Sequence, residues 1–435
     1  KRVVVNSTGR EIRTLEEAPP VEGKRVQLTI DYDVQKAAED GFLASGYNGA
    51  AVVLDPNTGE VLAVTSRPAF DPNAFAAGIN RATWQQLNQD EARPLQDRAI
   101  QGRYSPGSTF KMAVAVAALE EGIITPDFKV ACPGHAVFYG RSFQCSLPGG
   151  RGHGTIDLRQ AIEHSCNVYF YTVGNMLGID KIHKWASLFG LGERTGIDLP
   201  NEAQGLVPSP EWKRERFKEK WYAGETISVS IGQGAVALTP VSMAVYISAL
   251  ANGGTRLVPY LLKSVDDGNG WKAAVPPTPK SVVRLKPETT EAIRDGLWMV
   301  VNNTGTAARA RIPGRDVSGK TGTAQVISLE GSKAAKGRTD KDLRDNGWFV
   351  FFAPRDHPQV AGVVFVEHGG HGGVTAAPIA RHIIETFFAK REGQPLPELS
   401  LKDLVPVPSG DAPTAPPAPA AEPARKPAVA GGAGD

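Results

Sequence analysis

The first residues in this sequence whose types and spacing could support covalent chemistry are Ser108 and Lys111. They stand one turn apart at the start of an Ala/Val/Met-rich stretch, ending at Glu121, that predicts a helix with both side chains on one face. Serine becomes an effective nucleophile when a neighbouring base takes its proton, and a neutral lysine can be that base. Lysine ordinarily has a pKa near ~10.4, so work near neutral pH requires burial or a second lysine in the cleft to lower it by about 3. The helix N-terminus also offers unpaired backbone N–H groups for an oxyanion.

Two further motifs follow in a fixed order, Ser165–Asn167 (Ser-Cys-Asn) and Lys320–Thr323 (Lys-Thr-Gly-Thr). Gly322, inside an apparent strand, indicates a close backbone approach, and a peptide substrate held by main-chain hydrogen bonds could lie along that strand edge. Each motif alone is weak, because about one Ser-x-x-Lys arises by chance in a chain of this length and a capping serine beside a solvated lysine would look the same. The three together indicate a penicillin-recognising serine enzyme.

The rest of the pattern predicts the elements that position these motifs. Two apolar runs, Ala50–Leu54 and Val61–Thr65, flank five turn residues and predict a β-hairpin. Late in the chain, strand-like runs are followed by a last helix, at Asp316–Ser328, Trp348–Ala353, Gln359–Glu367 and then Ala376–Lys390. A hairpin at one end and strands at the other, with helices between, predict one α+β domain whose sheet is assembled from both ends of the sequence.

The motifs and their flanking residues resemble the penicillin-binding protein transpeptidases over about residues 23–391. The supporting segments are Gly49–Asp55, Tyr104–Ser108 and Phe351–Pro354, and Trp212–Gly234 is similar to the class B, elongation-type members. No glycosyltransferase domain is recognisable, which agrees with that monofunctional class. The resemblance implies the serine β-lactamase-like transpeptidase fold, with a central antiparallel sheet flanked by helices.

The resemblance also implies catalytic roles. Ser108 would attack the carbonyl of the D-Ala-D-Ala bond in a peptidoglycan stem peptide, and Lys111 would be the base for that step. Ser165 would pass a proton towards the leaving amine, with Lys320 close by. An amine from a neighbouring stem peptide would then take the acyl group, which forms the cross-link during cell elongation.

The substrate-binding residues implied by the resemblance lie in the second and third motifs. Asn167 would hold a substrate amide, and the terminal carboxylate would meet Thr321 and Thr323 on either side of Gly322. The backbone N–H groups of Ser108 and Thr323 would form the oxyanion hole. A β-lactam would acylate the same serine and leave slowly. Alternatives on the same fold are a D,D-carboxypeptidase, a β-lactamase or a β-lactam sensor, although no carboxylate is identifiable that would position a hydrolytic water.

Three cysteines and one histidine pose a separate question, since Cys132, Cys145, His153 and Cys166 all lie between the first motif and the end of the second. Three thiolates and one imidazole are the ligand set of a closed structural zinc site. The alternatives are a Cys132–Cys145 disulfide with Cys166 free, which an oxidising compartment favours, and three unpaired thiols. Some elongation-type relatives hold zinc here, so the resemblance favours a metal that staples a loop. No cofactor is expected for catalysis itself.

Composition limits the partners. Lys+Arg number 48 against 46 Asp+Glu, and this near balance without a basic face excludes nucleic acid as an expected partner. His368 and His371, in a Gly-rich stretch, are expected in a flexible loop closing the cleft rather than at a metal. The resemblance further implies contact with a SEDS-type glycosyltransferase through an absent N-terminal region.

The ends of the chain differ from its middle. Residues 1–22 are interpreted as the remnant of a pedestal domain with a linker, and residues 23–395 as the transpeptidase domain. Residues 396–435, rich in Pro and Ala, are expected to form a disordered tail. The longest apolar stretches are too short to span a bilayer, and the chain opens at Lys1 without a signal pattern. We therefore expect a piece of a longer protein, anchored by an upstream helix at the periplasmic face of the inner membrane.

Overall fold

The computed structural model describes residues 2–19, 22–76, 78–325, 344–400 and 404. In this part of the chain the strands are β1 (Arg2–Val5), β2 (Glu11–Glu16), β3 (Arg25–Leu28), β4 (Gly49–Leu54), β5 (Val61–Arg67), β6 (Val130–Cys132), β7 (His135–Phe138), β8 (Arg141–Gln144), β9 (Gly154–Ile156), β10 (Thr255–Arg256), β11 (Leu262–Asp266), β12 (Trp271–Ala273), β13 (Ser281–Val282), β14 (Ser318–Ala324), β15 (Asn346–Ala353) and β16 (Val360–Val366). The helices are α1 (Tyr32–Ser45), α2 (Asn73–Ala76), α3 (Arg81–Gln89), α4 (Lys111–Glu120), α5 (Leu158–Glu163), α6 (Asn167–Leu177), α7 (Ile179–Leu188), α8 (Pro210–Phe217), α9 (Ala223–Val229), α10 (Pro240–Ala251), α11 (Pro287–Asn302) and α12 (Gly372–Arg391).

A five-stranded antiparallel sheet forms the centre of the fold, with the strand order β14-β15-β16-β4-β5. Strand β16 pairs with β15 on one side and β4 on the other, so the sheet joins the N-terminal hairpin to the late strands, as predicted. Every residue of β4 and β16 is buried, because α12 packs on β15 and β16 while α10 packs on β16 and β4. The architecture confirms the predicted α+β class with a central antiparallel sheet flanked by helices.

The two edges of this sheet are treated differently. At β5 the side-chain amide of Gln35 takes the place of a neighbouring strand, accepting from Val64 N (2.8 Å) and donating to Val64 O (3.0 Å). In the described part of the chain, β14 pairs with β15 alone, so the edge that carries the third motif has no strand beside it. An uncovered edge of this kind can take up an extended peptide through main-chain hydrogen bonds.

The segment that carries the first motif departs from the prediction of a single helix over Ser108–Glu121. Gly107–Phe110 forms a 3-10 turn, and the α-helical hydrogen-bonding pattern begins only at Lys111. Tighter turns of this kind are frequent at helix starts. All but the last residue of α4 are buried, so the helix runs through the interior and carries Lys111 with it.

Smaller units surround the central sheet. The side chains of the β1–β2 hairpin are almost all exposed. Among the described residues, none of the helices is a candidate for a membrane span. Leu399 and Leu404 pack against the core, so the packed part of the chain extends beyond residue 395. The rest of the predicted tail that falls on residues 401–403 and 405–435, and the predicted strand end at 326–328, lie outside the described residues.

Candidate active site and metal centre

The second motif lies in a short connection between two helices. Helix α5 begins with a capping box at Asp157 and Gln160, and α6 begins at Asn167 with Cys166 as its N-cap. Between them Ser165 adopts a left-handed conformation with φ 55°. Such a backbone conformation is uncommon for serine, and conformations of this kind cluster at functional sites.

The amine of Lys111 joins the first motif to the second. Its Nζ donates to the Ser165 carbonyl (2.8 Å), the Ser165 hydroxyl (3.2 Å) and Asn167 Oδ1 (2.7 Å). Burial of Lys111 lowers the pKa of its amine to about 7, against the opposing influence of the Cys166 and Cys145 thiol groups. A large part of this amine is therefore neutral near pH 7, which is the state required of a base.

The second lysine is buried near the first. Lys320 is fully buried and its Nζ donates to Thr321 O at 3.1 Å; among the described hydrogen bonds none joins it to Ser165. Burial, and secondarily the charge of Lys111, hold the pKa of Lys320 well below its ordinary value. The predicted repulsion thus acts on Lys320, whereas burial is what lowers the pKa of Lys111.

The turn that carries Ser108 packs directly on the third motif. A Cβ built on Gly107, whose φ is +55°, would lie 2.7 Å from the Thr323 carbonyl oxygen. A Cβ on Gly322 would lie 2.8 Å from the carbonyl oxygen of Pro106. The close backbone approach expected at Gly322 is therefore made by the protein itself, and it brings half-buried Ser108 beside the edge strand β14.

A polar network that the sequence analysis missed lies beside the segment that leads into the Ser108 turn. Glu367 forms an ion pair with Arg98 (Oε2 to Nε, 2.9 Å) and accepts a hydrogen bond from the Tyr104 hydroxyl (3.1 Å). Next along the chain, Ser105 O accepts from Trp348 Nε1 (3.0 Å). Only the resemblance of the segment around Tyr104 pointed to this region, because the partners lie more than 200 residues apart and no local pattern links them.

Two residues outside the three motifs meet the threonines of the third. Thr306 Oγ1 lies 2.6 Å from Thr321 Oγ1, and His371 Nδ1 lies 3.3 Å from Thr323 Oγ1. His371 lies at the end of the loop that follows β16, where it is the N-cap residue of α12. Thr306 carried no sequence signal, since a threonine after a helix is commonplace.

The three cysteines and His153 converge in space. Their potential ligand atoms all lie within 4.8 Å of one another. Cys145 Sγ is 3.7 Å from Cys166 Sγ, and His153 Nδ1 is 3.4 Å from Cys145 Sγ and 3.6 Å from Cys132 Sγ. Tetrahedral zinc with Zn–S near 2.3 Å and Zn–N near 2.0 Å gives S···S of about 3.8 Å and S···N of about 3.5 Å, so three of the six atom pairs have spacings that fit the ion. All three thiols are unbridged in the described chain.

This cluster touches the second motif. Cys166 lies between Ser165 and Asn167 in the chain, and Ser146, next to Cys145, donates from its hydroxyl to Ser165 O at 3.1 Å. Asn167 Nδ2 donates to Gln144 O at 3.4 Å. The loop that the cluster ties together therefore contacts the backbone that presents the second motif.

The same arrangement of motifs is found in a known protein family. Residues 49–385 match the model of the penicillin-binding protein transpeptidase domain. The chain is 38% identical over 386 residues to the peptidoglycan D,D-transpeptidase MrdA of Acinetobacter baumannii, covering 88% of this chain and 57% of that protein. Pseudomonas aeruginosa PBP2, solved in complex with WCK 5153, superposes with a TM-score of 0.76 at 35% identity, covering 90% of this chain and 81% of that one. Helicobacter pylori PBP2, solved in complex with MreC, gives a TM-score of 0.74 at 31% identity, with 90% and 68% covered.

These matches have a defined extent. The chain spans about three fifths of the length of the curated relatives it matches. Within that span, the family match includes all three motifs and every residue of the cysteine–histidine cluster. The chain belongs to the penicillin-binding protein transpeptidase family.

Proposed function

We propose that this chain is the catalytic domain of a peptidoglycan D,D-transpeptidase that cross-links stem peptides through a serine acyl-enzyme. The observation that carries the proposal is the buried amine of Lys111, whose pKa is lowered to about 7 and which is hydrogen bonded to both Ser165 and Asn167. A neutral lysine one turn from a half-buried serine can take the proton of that serine, which a charged, solvated lysine cannot do.

The acylation step can be followed atom by atom. Neutral Lys111 takes the proton of the Ser108 hydroxyl while Oγ bonds to the carbonyl carbon of the D-Ala-D-Ala peptide bond. The backbone N–H groups of Ser108 and Thr323 stabilise the oxyanion, an arrangement supported by the packing of Gly107 on Thr323. The C–N bond then breaks, Ser165 supplies a proton to the leaving nitrogen, and D-Ala departs. Ser165 regains a proton from the Lys111 ammonium, to which its hydroxyl is hydrogen bonded, and Lys111 is neutral again.

The second half-reaction returns the enzyme to its starting state. An amine of a neighbouring stem peptide attacks the ester carbon of the acyl-enzyme, loses its proton to the site and releases the Ser108 hydroxyl. The uncovered edge of β14 supports binding of the donor peptide as an added strand, with Asn167 holding an amide and Thr321 and Thr323 the carboxylate. A β-lactam would enter the same position and remain on Ser108.

The test is intact-protein mass spectrometry after incubation with benzylpenicillin, on the wild type, on Ser108→Ala and on Ser142→Ala as an exposed control. A stable adduct of one drug mass, absent only from Ser108→Ala, is the expected result. Turnover of the drug without an adduct would instead indicate a β-lactamase. No reaction of the folded wild-type protein would refute the proposal. A D-Ala-D-Ala peptide with an added amine then separates a transpeptidase, which forms the amide product, from a carboxypeptidase, which forms the free acid, and from a sensor, which forms neither.

We also propose that Cys132, Cys145, His153 and Cys166 hold one structural zinc ion. The spacing of three of their six atom pairs, together with the unbridged state of all three thiols, supports this assignment over the Cys132–Cys145 disulfide. The ion would tie the loop that carries Cys132, Cys145 and His153 to the second motif, and it would take no part in the reaction. The reaction itself needs no cofactor under this proposal.

Family membership supports the remaining assignments. We propose that residues 1–22 belong to a pedestal and that the transpeptidase domain begins at residue 23 and includes Leu404, which packs on its core. We also propose that the protein works at the periplasmic face of the inner membrane, held by an N-terminal helix outside this sequence. A SEDS-type glycosyltransferase would bind the N-terminal region. Co-purification of the full-length protein with such a glycosyltransferase, lost on deletion of that region, tests the partner.

A further inference from the structure

We propose that Thr306 and His371, two residues outside the three motifs, set the preference of this enzyme for a donor with a free carboxylate. They would do so by fixing the direction in which the Thr321 and Thr323 hydroxyls donate their protons. The inference rests on the proposed transpeptidase function and adds specificity-determining residues to it.

Thr306 is held in place on both sides. Its Oγ1 lies 2.6 Å from Thr321 Oγ1, and its carbonyl oxygen faces Gly373, where an added Cβ would come within 2.1 Å. That same Cβ would lie 3.3 Å from Thr321 Cγ2. The backbone of Thr306 is therefore packed against the start of α12, while its side chain is exposed and reaches Thr321 on β14 through the hydroxyl.

The loop that carries Thr306 is also tied to the second motif. Glu163, a buried residue two positions before Ser165, accepts from Thr304 N (3.0 Å) and from the Thr304 hydroxyl (2.8 Å). A buried carboxylate with two such hydrogen bonds is a strong anchor. Thr306 thus has a fixed position relative to both walls of the cleft.

His371 approaches the other threonine from the end of a helix. Its Nδ1 lies 3.3 Å from Thr323 Oγ1, while its carbonyl oxygen accepts from Val374 N (2.9 Å) and Thr375 N (3.2 Å). The next residue, Gly372, lies so close to the sheet that a Cβ would come within 2.0 Å of Trp348 O. The backbone of His371 is therefore fixed against β15, which leaves its ring beside Thr323.

The proposal assigns a direction to each of these two hydrogen bonds. A hydroxyl has one proton to donate, and a carboxylate only accepts. When Thr306 donates to Thr321, and His371 donates from Nδ1–H to Thr323, each motif threonine must point its own proton elsewhere. Thr321 and Thr323 are two residues apart on β14 and share one face, so both protons are directed to one place where a carboxylate fits. An ester oxygen is a weaker acceptor there, and an amide N–H₂ would face two donors.

The experiment measures second-order acylation rate constants for benzylpenicillin and for its methyl ester, by intact mass. The variants are Thr306→Val, which removes the hydroxyl at constant shape, and His371→Phe, which removes the ring donor. Thr306→Ser and His371→Asn are the conservative variants, since each retains a donor near the original position. Thr278→Val, at an exposed site, is the unrelated control.

We expect Thr306→Val and His371→Phe each to slow acylation by benzylpenicillin by about 10-fold or more, the usual effect of a hydrogen bond to a charged group. The rate with the methyl ester should change less than about 2-fold, and the two conservative variants should recover most of the loss. Equal loss with both compounds would show a merely structural role and overturn the proposal, as would unchanged rates with benzylpenicillin. If one of these two variants does not fold, the other variant tests the proposal. The ratio of the rate with benzylpenicillin to the rate with its methyl ester in Thr306→Ser then provides the second test. Failure of the wild type to form any Ser108 adduct would instead refute the proposed function itself.

Discussion

The pH dependence of acylation tests whether burial really makes Lys111 a base. Burial holds the pKa of its amine near 7, and only the neutral amine can take the proton of Ser108. The rate should therefore rise with pH. The neutral fraction increases from about 9% at pH 6 to about 91% at pH 8, so the rate constant should rise about 10-fold over that interval and then level off.

An ordinary lysine would behave differently. With a pKa near ~10.4 its neutral fraction would rise about 100-fold between pH 6 and pH 8 and would keep rising through pH 9. The assay is the second-order rate constant for benzylpenicillin between pH 5.5 and 9, measured by intact mass at constant ionic strength. Lys111→Ala should lose at least about 100-fold at pH 8, whereas Lys129→Ala, which changes an exposed lysine, should match the wild type. A slope of one per pH unit through pH 9 would refute the assignment of Lys111 as a buried base.

Three other perturbations probe the structure around this lysine. Gly322→Ala would place a Cβ 2.8 Å from Pro106 O and push the turn that carries Ser108 away from β14. The acylation rate should therefore fall about 100-fold while the circular dichroism spectrum stays native. A wild-type rate would show that the strand does not hold the turn in place. Glu367→Ala should lower the free energy of unfolding by about 3 kcal/mol in a urea titration, because it leaves the nearly buried Arg98 without its carboxylate, and a loss under about 1 kcal/mol would mean that water already solvates that pair. Metal analysis of protein purified without chelator should find about one zinc per chain, reduced in Cys132→Ser together with the melting temperature, while a disulfide seen by mass in metal-free wild type would contradict the zinc assignment.

Much of the fold follows from local pattern. The segments that form β4, β5, β15 and β16 are apolar enough to be identified as strands. The helices of the domain begin and end near capping and turn residues. The closing pair between β16 and β4 joins segments about 300 residues apart in the chain. Recognition of the family pattern, rather than propensity, is what predicted that the sheet would be central, antiparallel and flanked by helices.

The site divides in the same way. The types and order of Ser108, Lys111, Ser165 and Lys320 were readable because a Ser-x-x-Lys turn and a Lys-Thr-Gly strand are local patterns. Local pattern also named the four possible zinc ligands, but it could not choose between metal and disulfide. The convergence of the four ligand atoms to within 4.8 Å of one another, which supports the proposed metal, exists only in the folded chain.

By itself, then, the sequence determined which residues can do chemistry and which elements carry them, because those properties depend on neighbours a few positions away. Tertiary structure decided how those residues behave. The pKa of Lys111 depends on burial by helices and strands from distant segments, and the partner of Gly322 depends on where the serine turn comes to rest. Thr306 and His371 contact the threonines of β14 only because the segment after α11 and the start of α12 pack beside that strand, which no spacing in the chain encodes.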